Sequence, residues 1–255
     1  MKIGVIGAGN LGKAIIARLA AKGFSIIASS TKQENYLGVS IVKDNKIVAR
    51  NCDFIILTVK PDRVKKVIGE LSGLIDKKLM VSFVAGIKIS FLEDISSAKI
   101  ARVITNMAIK GGNGISMYKI SDSCTLEERE KIEMVLGFFG SFIEAENEML
   151  LDVMVGISAS GIAYLVRILQ IFAECAKMHG LDEKDSKKII LQTARGAISL
   201  MEENMQCDDI IKSIASKGGT TEDGINELSS RGIDAILSSA IEKTISKCSN
   251  ISDEK

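Results

Sequence analysis

Two short stretches of this chain have residue types and spacing that could do chemistry. The first is Gly7-Ala8-Gly9-Asn10-Leu11-Gly12, which fits G-x-G-x-x-G. Gly7 suits a tight turn, Gly9 lets the backbone approach a pyrophosphate, and Gly12 lets a helix pack closely on a strand. Free N–H groups at the start of the following helix favour phosphate oxygens. This pattern predicts a dinucleotide site. The second stretch is Ser216-Lys217-Gly218-Gly219-Thr220-Thr221, followed by Glu222 and Asp223. It reads as a loop turning into a helix. Locally it is either a cap, with Thr220 near Asp223 or Ser216 on a later N–H, or an anion site at a helix start.

The segment "FSIIASS" bears on the choice of dinucleotide. An NAD site places Asp or Glu at the end of this strand to accept from the ribose 2′-OH. Here Ser29, Ser30, Thr31 and Lys32 stand there instead. Hydroxyl donors and a cation suit a 2′-phosphate, so NADP(H) is favoured over NAD(H).

Groups for proton transfer are few. The one histidine, His179, lies in "KMHGL" and reads as a residue at the surface end of a helix. Tyr164 and Lys60 remain as acids. Hydride delivered to a carbonyl makes an alkoxide, which needs an acid. A protonated imine already carries its proton, so orientation and electrostatics suffice. The sequence therefore fits imine reduction better than carbonyl reduction. No cluster of metal-ligand residues stands out.

These residues need a scaffold, and the chain supplies one at α/β spacing. Residues 2–6 form an apolar strand, followed by an amphipathic helix with Ala14, Ile15, Leu19 and Ala20 on one face, ended by Gly23. "CDFIILTVKP" is a continuous apolar run of the kind buried in parallel sheets. "LMVSFVAGI", ending at Ala85-Gly86, and "KIARVITNMA", ending at Asn106, are further strands, as are "NGISMYK" and "SFIEA". "TLEEREKIEMVLGFFG" is a helix opened by a capping box, Thr125 with Glu128. From Leu150 the apolar period becomes helical. "GIAYLVRILQIFAECAKMHG" aligns Ile162, Leu165, Val166, Leu169, Ala173 and Ala176. Four more helical segments follow, and the tail "SNISDEK" is expected to fray. Five helices over this length carry little polar cover, so some faces are expected to meet a second subunit. The expected fold is thus α/β. Residues 1–150 form a Rossmann-type, doubly wound, mostly parallel sheet, and residues 151–255 form an all-α dimerisation and substrate domain.

Composition narrows the partners. The chain has 255 residues, 46% hydrophobic and 25% charged, with a net charge of +1. No global field attracts nucleic acid or a membrane surface, and the apolar runs are read as too short to span a bilayer. Five scattered cysteines without a C-x-x-C pair suggest reduced thiols in the cytoplasm. With a first strand beginning at Lys2, no signal peptide is expected.

In order, "IGAGNLGKAI", "DNKIVARNCDFIILTVKP", "VSFVAGI", "RVITNMA", "GISASGIAYL", "HGL", "QTARGA" and "SKGGTT" resemble the pyrroline-5-carboxylate reductase family nearly end to end. That resemblance implies NAD(P)H-dependent reduction of a small cyclic imino acid, 1-pyrroline-5-carboxylate, to L-proline by a homodimer or a larger assembly. It implies that Gly7, Gly9, Asn10 and Leu11 hold the pyrophosphate, with Ser30 at the phosphate after the second strand. Asn45, Val59, Lys60 and Pro61 fall on the adenosine side. Ala85 and Gly86 fall on the nicotinamide side, and Asn106 joins the cofactor set. Ser216, Gly218, Gly219 and Thr220 become a carboxylate cradle in which both glycines expose N–H groups, and Thr221 contacts the imine nitrogen. The chain departs from the family at Thr105, Ala108, Ile162 and Lys217, where proline is usual, and at Ala159, where glycine is usual. These changes keep two alternatives open: a diverged reductase of another cyclic imino acid, and a non-catalytic NADP-binding dimer. A hydroxyacid dehydrogenase fits less well, because Arg167 and Lys177 are the only cations of the long helix.

Overall fold

A strand buried on both faces must be covered on both, which forces helices above and below a parallel sheet. The chain follows this rule. The computed structural model describes residues 1–32, 35–203 and 205–253. Strand β1 (Lys2–Ile6) leads into α1 (Asn10–Ala20), β2 (Ser25–Ser29), β3 (Ile41–Val42) and α2 (Asn45–Asn51). Then come β4 (Phe54–Leu57), a 3-10 turn (Pro61–Arg63), α3 (Val64–Glu70), β5 (Leu79–Ser82) and α4 (Ile89–Asp94). The sheet ends with β6 (Lys99–Thr105), β7 (Gly114–Ile120), α5 (Leu126–Gly137) and β8 (Gly140–Glu144).

The strand order is β3-β2-β1-β4-β5-β6-β7-β8. Neighbours pair in parallel except β6 with β7, which are antiparallel. Winding reverses between β1 and β4, and the carboxyl ends of strands at such a point form the ligand crevice. Strand β4 shows why both faces are core. Phe54 and Ile56 join one apolar layer with Ile3, Val5, Ile15 and Leu19, while Ile55 and Leu57 join the other with Ile6, Val48 and Ile68. The capping box of α5 forms in both directions between Thr125 and Glu128.

The helical region holds α6 (Met149–Met154), a π turn (Val155–Ala159), α7 (Gly161–Met178), α8 (Glu183–Glu202), α9 (Cys207–Ile214), α10 (Thr220–Ser230) and α11 (Ile233–Asp253). The chain forms two compact units, one of Met1–Gly161 with Lys243–Lys255 and one of Ile162–Glu242. In the second unit α7 buries none of its residues, and Leu165 and Val166 are 62% and 58% exposed. A groove of about 530 Å³ runs between α7 and α8, walled by Val166, Leu169, Ala173 and Ile190.

Two expectations are corrected. The tail does not fray where it was expected to, because α11 continues through Ser249 to Asp253. Its end is fastened within the first unit: Asp152 accepts from Cys248 Sγ at 3.4 Å and from Ser249 Oγ at 3.3 Å. Asp152 itself pairs with buried Arg102, which also meets Glu148 at 3.0 Å. Residues 254–255 lie outside the described residues. Apolar length was also underestimated. The helical stretch Met149–Met178 spans 30 residues and contains an 18-residue window of mean hydropathy 1.8, long and apolar enough by composition to cross a membrane, and 22% of that window is buried. Isolated polar residues break the run in sequence, but they do not break the helix.

Candidate active site

The β1–α1 turn is built from close backbone contacts. Gly7 has φ +103°, a conformation that side chains rarely adopt, and its N–H donates to Ser29 O at 3.0 Å. Thr58, at the carboxyl end of β4, donates its hydroxyl to Gly7 O. A Cβ on Gly12 would lie 2.0 Å from Gly7 O, so helix and strand can approach only with glycine there. A Cβ on Gly9 would meet nothing within 4 Å. Gly9 is the N-cap of α1 and no side chain caps the helix. The first N–H groups of α1, those of Asn10 and Leu11, therefore have no partner within the helix and carry its positive end. Donors, charge and room together fit a phosphate. No pattern in the sequence pairs Thr58 with Gly7, and only the contact across the sheet reveals it.

The residues expected on the adenosine side gather at the ends of β2 and β4. Ser29 is buried and donates to Asn45 Oδ1 at 2.7 Å, while Asn45 Nδ2 donates to Glu70 Oε2 at 3.3 Å. Asn45 thus ties the end of β2 to the start of α2. Ser30 N–H donates to Val42 O at 2.9 Å, and Ser30 Oγ accepts from Lys32 N–H at 3.3 Å. Thr31 and Lys32 are exposed beside it. Val59 is half-buried, and exposed Lys60 precedes Pro61, which begins the 3-10 turn.

On the other side of the switch point, β5 ends at Ser82, earlier than the sequence suggested, and the chain turns through Ala85 and Gly86. Gly86 has φ +70°, and a Cβ there would meet Ile251 Cβ at 2.6 Å and Cys248 O at 2.7 Å. The end of α11 therefore rests directly on this loop. Burial, with the Asp152 carboxylate beside it, pushes the Cys248 thiol up to about 12. Buried Asn106 follows β6. Its Oδ1 accepts from Ala108 N–H at 3.1 Å, and its Nδ2 donates to Ser158 Oγ at 2.9 Å. A proline at position 108 could not give that N–H. Ser158 lies on the π turn and was not singled out in the sequence. π turns leave no signature in apolar periodicity, although they concentrate at functional sites.

The 216–221 loop lies in the second unit. Gly218 has φ +74°, and Gly219 is the N-cap of α10 without a side-chain cap, so neither expected capping contact forms. The expectation that both glycines present free N–H groups is corrected. Gly218 N–H donates to Glu222 Oε2 at 2.6 Å, and Gly219 N–H donates to Ser216 O at 2.9 Å. The outward donors are the N–H groups of Thr220 and Thr221 at the start of α10, with the exposed hydroxyls of Ser216, Thr220 and Thr221.

The candidate acids are placed as follows. His179 is exposed just beyond α7. Tyr164 donates its hydroxyl to Ala240 O at 3.4 Å. Thr105, at a position expected to hold proline, donates to Ile115 O at 3.1 Å.

Known protein families match both parts of the chain. A family profile described as pyrroline-5-carboxylate reductase dimerisation matches residues 148–251, and one described as NADP oxidoreductase, coenzyme F420-dependent, matches residues 2–86. The pyrroline-5-carboxylate reductase of Methanosarcina acetivorans is 29% identical over 94% of each chain. A Plasmodium falciparum pyrroline carboxylate reductase, solved with NADP bound, superposes with a TM-score of 0.95 at 24% identity, over 99% of this chain and 98% of that one, which establishes the shared fold. The pyrroline-5-carboxylate reductase of Glycine max is 32% identical over 80% of this chain and 75% of its own. With this relative at that identity and coverage, the chain belongs to the pyrroline-5-carboxylate reductase family.

Proposed function

We propose that this protein reduces 1-pyrroline-5-carboxylate to L-proline, the last step of proline biosynthesis, with NADPH preferred over NADH. The observation that carries the reading is the uncapped start of α1 at Gly9, under a Gly7–Gly12 turn fixed by Thr58, in a chain of this family. When bound, the dinucleotide would supply a hydride. Gly7, Gly9, Asn10 and Leu11 would hold the pyrophosphate. Ser30, Thr31 and Lys32 would hold the 2′-phosphate, with Asn45, Val59, Lys60 and Pro61 along the adenosine. Ala85, Gly86 and Asn106 would bound the nicotinamide end.

The substrate carboxylate would sit on the Thr220 and Thr221 N–H groups, assisted by Ser216 and the Gly218–Gly219 turn. The Thr221 hydroxyl would orient the imine nitrogen. Residues 1–150 would then form the cofactor domain, and residues 151–255 the substrate and dimerisation domain. The exposed apolar face of α7 would be covered by a second copy in a homodimer or larger assembly, and not by lipid. The five free cysteines suit a cytoplasmic setting. A second reading, reduction of another cyclic imino acid, draws on Lys217 and Thr105 at positions expected to hold proline.

The test follows NADPH oxidation with 1-pyrroline-5-carboxylate and, in parallel, with pyrroline-2-carboxylate and a piperideine carboxylate. Fast turnover of the first to L-proline is expected, and Thr221→Ala should lower kcat at least tenfold while NADPH still binds. Preference for another imine would replace the substrate. NADPH binding without turnover on any would leave a non-catalytic protein.

A further inference from the structure

The hydroxyl of Ser158 has a fixed direction. Ser158 stands on the π turn Val155–Ala159, where Ser160 N–H reaches back to Val155 O at 2.9 Å. Its Oγ lies 2.9 Å from the Asn106 amide. Chemistry decides which amide atom faces it. The other end of Asn106 accepts the Ala108 N–H at 3.1 Å, and only an oxygen can accept. The NH₂ group therefore faces Ser158, and an amide NH₂ can only donate. Ser158 Oγ is the acceptor, and its own hydrogen must point away from Asn106. Among the described residues nothing accepts that hydrogen.

Buried Asn106 follows the carboxyl end of β6, the strand next to β5, whose loop carries Ala85 and Gly86. Both Asn106 and Ser158 belong to the compact unit that carries the Gly7–Gly12 turn. A half-buried hydroxyl with a directed hydrogen at this end of the crevice is a donor to a ligand. We infer that Ser158 binds the carboxamide oxygen of the nicotinamide, with Asn106 as the positioning residue that turns the hydroxyl outward. This rests on the NADP(H) reading of the crevice.

The test is equilibrium binding, read by titration calorimetry, of NADPH and of 2′-phospho-ADP-ribose, which lacks the nicotinamide. Ser158→Ala should weaken NADPH about fivefold, the scale of one neutral hydrogen bond, and leave 2′-phospho-ADP-ribose unchanged. Ser158→Thr, which keeps the hydroxyl, should bind NADPH within about twofold of wild type. Thermal melting confirms that each variant is folded. Equal weakening of both ligands, or of neither, would overturn the role of Ser158 while the cofactor reading stands. A wild-type protein that binds neither ligand would overturn the cofactor reading and this inference with it.

Discussion

Glu222 reaches back from the first turn of α10 and accepts the backbone N–H of Gly218, its Oε2 2.6 Å from that nitrogen. A carboxylate of the protein thus occupies one donor of the loop proposed to hold the substrate carboxylate. Two negative charges at one helix start compete for the same positive end, an effect of about 0.3–1 kcal/mol. Glu222→Gln removes the charge and keeps an oxygen for the Gly218 N–H. The expected result is a KM for 1-pyrroline-5-carboxylate lowered about two- to fivefold, with the KM for NADPH unchanged. A raised KM for the imine would mean that Glu222 shapes the loop more than it competes for it.

Ser30 tests the cofactor. Its Oγ stands beside the Lys32 N–H, at the end of the strand where a 2′-phosphate is proposed to lie. Ser30→Asp places a carboxylate there, which would repel the phosphate and accept from a 2′-OH. The ratio of kcat/KM for NADPH over NADH should fall by about tenfold or more, the scale of one charge-assisted contact. An unchanged ratio would move the phosphate site away from the end of β2.

How much of this was legible in the sequence depends on the range of the interaction. The Gly7–Gly12 turn and the Thr125–Glu128 box are local, and both appear as read. Runs of continuous apolar residues gave the strands, since Ile55, Ile56 and Leu57 are buried whichever face they take. Strand β3 is two residues long, too short to show a period. The fastening of α11 was invisible for another reason. Ser249 and Ile251 sit in a polar tail, and their partners, Asp152 and Gly86, are distant in sequence. At 216–221 the residues gave the turn and the helix start correctly. They did not show that Glu222, four residues beyond Gly218, would engage its N–H.

The buried pair of Arg102 and Asp152 joins β6 to α6, and through Cys248 and Ser249 to the end of α11. Arg102 is 1% exposed. Replacing it with methionine leaves Asp152 buried without its cation, which costs about 3–5 kcal/mol. Urea unfolding of Arg102→Met should show a loss of that size. Cys248, whose thiol is pushed up to about 12 by burial, should resist alkylation in the wild type and become reactive in the variant. A loss under about 1 kcal/mol, or a Cys248 that stays protected, would mean that apolar contacts such as Ile251 on Gly86 hold the helix end without the ion pair.

Glu128 should make stability sensitive to acid. Its side chain is 14% exposed, and burial alone would raise its pKa. Lys99 Nζ at 2.8 Å and the Thr125 N–H at 2.7 Å outweigh that and hold the carboxyl below its ordinary value of 4.5. A carboxyl lowered in the folded state stabilises fully above its unfolded value, and the contribution is lost as pH falls through the folded one. Near neutrality, Glu128→Gln should therefore unfold about 1–2 kcal/mol more easily than wild type, the scale of hydrogen bonds to a charged group. The gap should hold down to about pH 5 and close as the pH drops below 4.5. Urea unfolding of both proteins across this range measures it. A gap independent of pH would assign the difference to the shape of the capping box, with no contribution from the charge on Glu128.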